Sequence, residues 1–84
     1  MEDQAILEEL LVLLEQNGVV IRNEAMGGSG GGLCKIKDKR VFFVDTEGQA
    51  VDMAVICARA VHEMVDIEAI YIRPQIRDFL ERHR

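Results

Sequence analysis

The chain has few of the side chains on which enzymes build nucleophilic sites. Its only serine is Ser29, and its two cysteines, Cys34 and Cys57, lie far apart in the sequence. Ser29 lacks the strand-turn-helix setting of a nucleophile elbow, and neither cysteine has a base close to it in the sequence. We interpret both cysteines as small buried hydrophobic residues of a reducing compartment rather than as a disulfide. The sequence indicates no catalytic residue, and we do not expect an enzyme.

Metal ligands are scarce as well. His62-Glu63 begins like a zinc-peptidase helix, but the position four residues after His62 is occupied by Asp66, and the other histidine, His83, is next to the chain end. A catalytic zinc needs three protein ligands. We therefore predict no metal and no cofactor, and we interpret His62 as a residue near a helix C-terminus, where its side chain complements the helix dipole.

The chain also lacks long apolar runs and an excess of positive charge. No segment reaches the roughly 18 apolar residues that a membrane span needs, and Glu2 and Asp3 stand where a secretory signal has its basic region. Fifteen acidic and ten basic residues give a net charge of −5, whereas nucleic-acid binding needs clustered lysine and arginine. We expect a cytoplasmic protein that binds neither membranes nor nucleic acid.

Apolar side chains, by contrast, are abundant for the size of the chain. They make up 49% of 84 residues, which is enough for one domain, residues 1–84, with one core. A chain this small buries only somewhat more than about 60% of the surface that it exposes when unfolded. The excess of apolar side chains therefore predicts a surface that another subunit covers.

Hydrophobic periodicity divides the chain into seven predicted elements. Apolar residues three and four apart favour helices, and β-branched or alternating runs favour strands. The predicted elements are a helix from Asp3 to about Asn17, strands at 19–22, 33–37 and 40–45, a helix to about Met64 that opens with a capping box from Thr46 to Gln49, a strand at 69–72 and a helix from Pro74.

The order of these elements predicts an α+β fold with the order α-β-β-β-α-β-α. The second and third strands form an antiparallel hairpin. The third strand, the second helix and the fourth strand form a β-α-β unit, whose strands should be parallel. We expect a small mixed four-stranded sheet, with strands three and four parallel around helix two and the helices packed on the sheet.

Five of the seven glycines lie in the run Gly27–Gly32, between the first two predicted strands. The run matches neither a P-loop nor a dinucleotide fingerprint, and its composition is typical of a flexible connector, which is the interpretation we favour. The predicted topology also brings it to the edge where parallel strands end, and ligands of α/β sheets bind there. The alternative is therefore a site for a small ligand or anion, formed by Gly28, Ser29, Gly30, Gly31, Asp45, Thr46 and Arg73.

The second predicted helix suggests a function of a different kind. Between Ala50 and Val65 its only polar residues are Asp52, Arg59, His62 and Glu63. A helix that is apolar nearly all round is buried nearly all round. A fully covered monomeric core is one explanation, and a homodimer or docking on a larger protein is the other.

We prefer the second explanation and predict a small soluble interaction or accessory domain that acts through self-association or docking. The predicted interface consists of Val12, Val55, Ile56 and Arg59. A protein that binds a small ligand or an anion through the glycine run is the alternative function.

Overall fold

Three helices and three strands form the fold in the computed structural model, which describes residues 1–84. They are α1 (Asp3–Gln16), β1 (Val20–Glu24), β2 (Gly32–Ile36), β3 (Lys39–Asp45), α2 (Ala50–Met64) and α3 (Pro74–Arg82). The α+β class is confirmed, with the order α-β-β-β-α-α. The helices pack on one face of the sheet, and the molecule measures 32 × 31 × 17 Å along its principal axes.

The three strands lie in the order β1-β3-β2, so that β3 is central. β2 and β3 are antiparallel, which confirms the predicted hairpin. β1 runs parallel to β3, with Glu24 opposite Asp45. Since β1 and β2 lie at opposite edges, the chain between them has to cross the carboxyl end of β3. We call this crossing segment, residues 25–31, the glycine loop.

The predicted fourth strand at 69–72 is wrong, and with it the four-stranded sheet and the β-α-β unit around α2. The parallel neighbour of β3 is β1 instead. Because β1 and β2 occupy both sides of β3, no position beside it is free for another strand. The segment between α2 and α3 packs against the core instead, where it buries Val65, Ile67 and Ile72.

The predicted capping box at Thr46 is also wrong. α2 begins at Ala50, and its N-cap residue, Gln49, makes no side-chain capping hydrogen bond. The Thr46 N–H donates to the carbonyl of Glu24 at 3.0 Å, and the Gly48 N–H donates to the carbonyl of Asp45 at 3.1 Å. Thr46 therefore continues the pairing of β3 with β1, and a turn separates it from the helix.

The hydrophobic core lies between the sheet and the helices and covers most of α2. Fully buried residues come from each layer, including Leu10, Leu14, Phe42, Met53, Cys57, Val61 and Leu80. α3 is attached to α2 by a hydrogen bond of 2.7 Å between His62 Nε2 and the carbonyl of Leu80. The monomer's own elements thus cover much of the apolar surface for which the sequence suggested a second subunit.

The two cysteines have different environments. Cys57 is fully buried, as predicted, and desolvation raises the pKa of its thiol to about 12. Cys34 is exposed, so its predicted burial is wrong. Its strand position pairs it with Val41, on the face of the sheet that carries no helix.

This difference predicts the thiol chemistry of the native protein. A disulfide reagent such as DTNB should modify one thiol per chain rapidly, at Cys34, because the thiolate is the reactive form and Cys57 is both inaccessible and protonated. The second equivalent should appear only in denaturant. Cys34→Ala should abolish the rapid phase and Cys57→Ala should leave it unchanged; rapid modification of both thiols in native buffer would contradict the buried position of Cys57.

Candidate functional site

Asp45 is the one charged residue in the buried set, with 2% of its surface exposed. It lies at the carboxyl end of β3, under the glycine loop. Its carboxylate accepts hydrogen bonds from the N–H groups of Met26 at 3.0 Å, Gly30 at 3.0 Å and Glu47 at 2.9 Å. The loop thus wraps around one carboxylate of the central strand.

Further hydrogen bonds fix the rest of the loop. The Gly27 N–H donates to Glu47 Oε1 at 2.6 Å, and the Ser29 hydroxyl donates to the carbonyl of Met26 at 2.7 Å. These bonds offset part of the entropy cost of ordering glycine. The glycine run is therefore a hydrogen-bonded loop in this structure, whereas the sequence favoured a flexible connector.

Two glycines of the loop have a clear steric reason to be glycine. Gly30 has a φ of +89°, a left-handed conformation that side chains disfavour, and there its N–H reaches Asp45. Gly31 passes directly over the backbone of β3, where a Cβ would overlap the carbonyl group of Phe43. The composition of the run thus follows from the crossing of β3.

Two opposing effects act on the pKa of Asp45. Desolvation by burial raises it, but backbone hydrogen bonds from Glu47, Gly30, Met26 and Gly28 lower it and prevail. The pKa therefore lies below its usual value of 3.8. A general base for neutral pH needs a pKa near 7, so the shift is in the wrong direction for that role, and Asp45 holds the loop as a carboxylate.

The structure brings most of the predicted ligand residues together but not Arg73. Gly28, Ser29, Gly30 and Gly31 lie in the loop over Asp45, and Thr46 follows it. Without a fourth strand, Arg73 lies between α2 and α3, and its guanidinium is 3.0 Å from the Glu9 carboxylate of α1. The predicted counter-charge for an anion is thus paired elsewhere.

A crevice of about 240 Å³ lies at the carboxyl ends of β1 and β3. Its polar lining includes Asn23, Asp45 and Thr46, and the first turns of α1 and α2 complete it. No buried side-chain polar atom of the chain lacks a hydrogen-bond partner. The loop amides of Met26, Gly27 and Gly30 donate to carboxylates of the protein itself. An anion would have to displace these carboxylates.

The second candidate site is the side of the sheet that carries no helix. Strand register places nine side chains there, since directly paired residues point to the same face. Asp45 is covered by the glycine loop. The other eight form the surface that we call the open face: Val20, Arg22, Glu24, Cys34, Ile36, Lys39, Val41 and Phe43. Val20 and Ile36 are 43% and 44% exposed. Arg22 lies over the Phe43 ring, 5.8 Å from its centroid.

A cleft of about 500 Å³ occupies the hairpin end of the open face. Its floor is aliphatic, formed by Val20, Ile36 and Val41. Its polar lining consists of Arg22, Lys37, Asp38 and Lys39. Three basic groups and one acidic group therefore surround an apolar floor. One of the basic groups, Arg22, is 3.3 Å from the Glu24 carboxylate, whereas Lys37 and Lys39 form no ion pair.

No protein-family model, no curated protein and no solved structure matches the chain. Within the molecule, no group of three or more histidine, cysteine, aspartate or glutamate side chains could hold a metal ion. None of the helices is long and apolar enough to cross a membrane. Function is therefore argued from the geometry of these two sites.

The predicted interface residues lie on the helical side of the molecule. Val12 is 48% exposed on α1, beside a shallow groove that also contains Tyr71. Val55 and Ile56 are half-buried and pack against the core, and Arg59 is exposed. Ile56 and Arg59 border a different depression, beside Leu33, so Val12 and these two residues lie at separate places on the helical side.

Sequence reasoning missed the open face, although a signal for it was present. The run Val41-Phe42-Phe43-Val44 indicated that both faces of this strand are covered. In the structure Phe42 and Val44 enter the core, while Val41 and Phe43 lie on the open face. The strand is interior to the sheet, as the run indicated, but the protein itself covers only one of its two faces.

Proposed function

We propose that this chain is an interaction domain that docks on another protein through the open face of its sheet. The observation that carries the proposal is the exposure of Val20 and Ile36 beside the buried Val41 on a face that no helix covers. Exposed apolar surface of this kind, with a polar rim, is typical of protein interaction sites. Docking would remove these side chains from water and supply the missing layer.

The chemistry of the two sites favours this function over binding of a small ligand. A ligand pocket needs a concave site with a few free polar groups that fix orientation. The glycine loop directs its amides at Asp45 and Glu47, whereas the open face offers a broad aliphatic surface. The loop therefore supports the fold, and the open face is the better candidate for binding.

Docking on a different protein fits the open face better than a symmetric homodimer. In a twofold dimer the same patch meets itself. Two open faces would bring the Lys37 and Lys39 side chains of both copies to the same interface, and like charges in contact disfavour association. A partner of different composition avoids this repulsion.

A photo-crosslinking amino acid at Ile36, in the protein expressed in its source cell, tests the proposal. Val51 on α2 provides the matched control position, because it is 46% exposed and belongs to the helical side. We expect one specific product at Ile36 that is absent at Val51. The captured protein is then purified, and its affinity for the isolated chain is measured by calorimetry.

Affinity measurements with this purified partner locate the interface. Ile36→Asp and Val20→Asp should each weaken binding by about tenfold or more, as expected for apolar residues at the centre of an interface. Val51→Asp should leave the affinity within about twofold of the original. Loss of binding in Val12→Asp but not in Ile36→Asp would move the interface to the helices. Crosslinking of Ile36 to a second copy of the chain would contradict docking on a different protein and indicate self-association through the open face.

A further inference from the structure

The charges of this protein are divided between the sheet and the rest of the chain. From Val20 to Asp45, the span that forms the sheet, the basic residues are Arg22, Lys35, Lys37, Lys39 and Arg40, and the acidic ones are Glu24, Asp38 and Asp45. Since the whole chain has ten basic and fifteen acidic residues, the excess of acidic residues lies entirely outside this span. This span thus has a net charge of +2, five basic minus three acidic residues, in an acidic protein. Lys35 and Arg40 lie opposite each other in the strand register, on the other face of the sheet. The lysines at the hairpin end of the open face are therefore Lys37 and Lys39, and electrostatic complementarity favours an acidic partner there.

The turn between β2 and β3 adds a second observation. Lys37 has a φ of +57° and is the only residue other than glycine with a positive φ. Glycine or asparagine adopts this conformation more readily. The Lys37 ammonium has no acidic side chain within ion-pair distance, and the same holds for Lys39. The side chain of Lys37 thus contributes no ion pair to the fold, at a position that disfavours lysine.

We propose that the cleft at the hairpin end of the open face binds an acidic amphipathic helix of a partner protein. This inference rests on the proposed docking function of the open face. Apolar side chains of the helix would pack on Val20, Ile36 and Val41, and its carboxylates would pair with Lys37 and Lys39. The partner would thereby neutralise two lysines that the chain itself leaves unpaired.

The dimensions of the sheet fit one helix. Two spacings of about 4.8 Å separate the outer strands of a three-stranded sheet, and a helix with its side chains is about 10 Å across. The opposite face of the same sheet is already covered by helices of the protein. A bound helix would complete a helix-sheet-helix sandwich, in which both faces of the sheet are buried.

The same basic charge is compatible with single-stranded nucleic acid, but the open face lacks the other requirement for it. Single strands bind on rows of exposed aromatic rings, on which successive bases stack. Phe43 is the only aromatic residue of the open face, it is half-buried, and Arg22 lies over its ring. The aliphatic floor of the cleft favours a protein helix.

Binding of synthetic peptides tests this inference on the purified chain. One fluorescein-labelled peptide carries a leucine stripe with helical spacing between flanking glutamates, and its twin has lysine at every glutamate position. A labelled oligo-dT is the third probe. Fluorescence anisotropy at low salt should show about tenfold or more tighter binding of the glutamate peptide than of the lysine peptide. This preference should decrease at high salt, because exposed charges are screened.

Three variants separate a binding role of the lysines from a structural one. Lys39→Gln should weaken binding of the glutamate peptide severalfold, whereas Lys35→Gln should not, because alternation places Lys35 on the opposite face of β2. Lys37→Gly should weaken binding and also raise the melting temperature, since glycine relieves the left-handed strain. A structural role alone would change the melting temperature of Lys37→Gly without changing its affinity.

The outcomes distinguish this inference from the proposed function. Equal binding of both peptides that is lost in Ile36→Asp would retain docking on the open face and overturn the acidic partner. Binding of the glutamate peptide that Ile36→Asp leaves intact would place the peptide outside the cleft and overturn the acidic helix. Tighter binding of oligo-dT than of the glutamate peptide, or no binding of either peptide, would overturn the acidic helix, while the crosslinking test decides the proposed function separately.

Discussion

Replacing Gly31 by alanine should destabilise this protein more than any other substitution in the glycine loop. The added methyl group would overlap the carbonyl group of Phe43, and neither atom belongs to a flexible side chain that could rotate away. Relief requires the loop to lift from β3 or β2 to shift along it. We expect the free energy of unfolding to fall by about 3 kcal/mol or more, at the upper end of overpacking effects.

Urea denaturation followed by circular dichroism measures this loss, and Gly27→Ala is its matched control. Gly27 belongs to the same loop, but nothing lies within 4 Å of an added Cβ. Its φ of +68° limits the cost to the strain of a left-handed alanine, about 1 kcal/mol. Equal destabilisation by the two variants would mean that Gly31 does not make its close contact with β3 in solution.

Replacing Asp45 by alanine should have the second large effect. The substitution leaves the N–H groups of Met26, Gly30 and Glu47 without their acceptor under the loop, and unsatisfied buried donors are costly. We expect the melting temperature to fall on the order of 10 °C. Hydrogen exchange of the Met26 and Gly30 amides should accelerate far more than that of Leu10, in the core.

Asp45→Asn separates the charge of this side chain from its hydrogen bonds. The amide is nearly isosteric and keeps one acceptor oxygen, so Asp45→Asn should be less destabilised than Asp45→Ala. Its NH₂ group places a donor where the second carboxylate oxygen accepted a hydrogen bond, so some destabilisation remains. Comparing the melting temperatures of the original chain and Asp45→Asn as a function of pH then isolates the titration of this one carboxyl.

The sign of this pH dependence follows from the direction of the pKa shift. The folded pKa of Asp45 lies below its usual value of 3.8, so the unfolded chain takes up its proton first as the pH falls. The stabilisation is fully present well above pH 3.8 and is lost as the pH falls through the folded pKa. The difference in melting temperature between the two proteins should be constant near neutral pH and shrink in acid; growth of the difference in acid would contradict the lowered pKa.

Local patterns in the sequence predicted those elements whose partners are close in the chain. The bounds of α1, the hairpin of β2 and β3, and the end of α2 near Met64 follow from periodicity and turn spacing. The segment at 69–72 has the composition of a strand, yet it is none, because β1 already pairs with β3. The pairing of β1 with β3 joins residues about 20 positions apart across the glycine loop, and local composition does not encode it.

The surroundings of the glycine loop were likewise predicted only in part from the sequence. The sequence placed the loop near Asp45 and Thr46 for a reason that is wrong in part, since it required the fourth strand that also carried Arg73. The structure reaches the same neighbourhood by another route, because the loop crosses the end of β3. Asp45 and Glu47 can hold the glycine loop only because the loop crosses the end of β3, since both carboxylates are distant from the loop in sequence.

The sequence by itself determined the α+β class, the helical and strand segments with strong periodicity, and the surplus of apolar side chains. Each of these depends on residue spacing, which secondary structure converts directly into faces. Only the tertiary structure decided which of these faces stays uncovered. α1 and α3 pack on α2, whose apolar surface the sequence assigned to a partner, while Val20 and Ile36 on the sheet remain exposed. A periodic pattern shows that a face is apolar, but only the packing of the remaining elements shows whether the chain itself covers it.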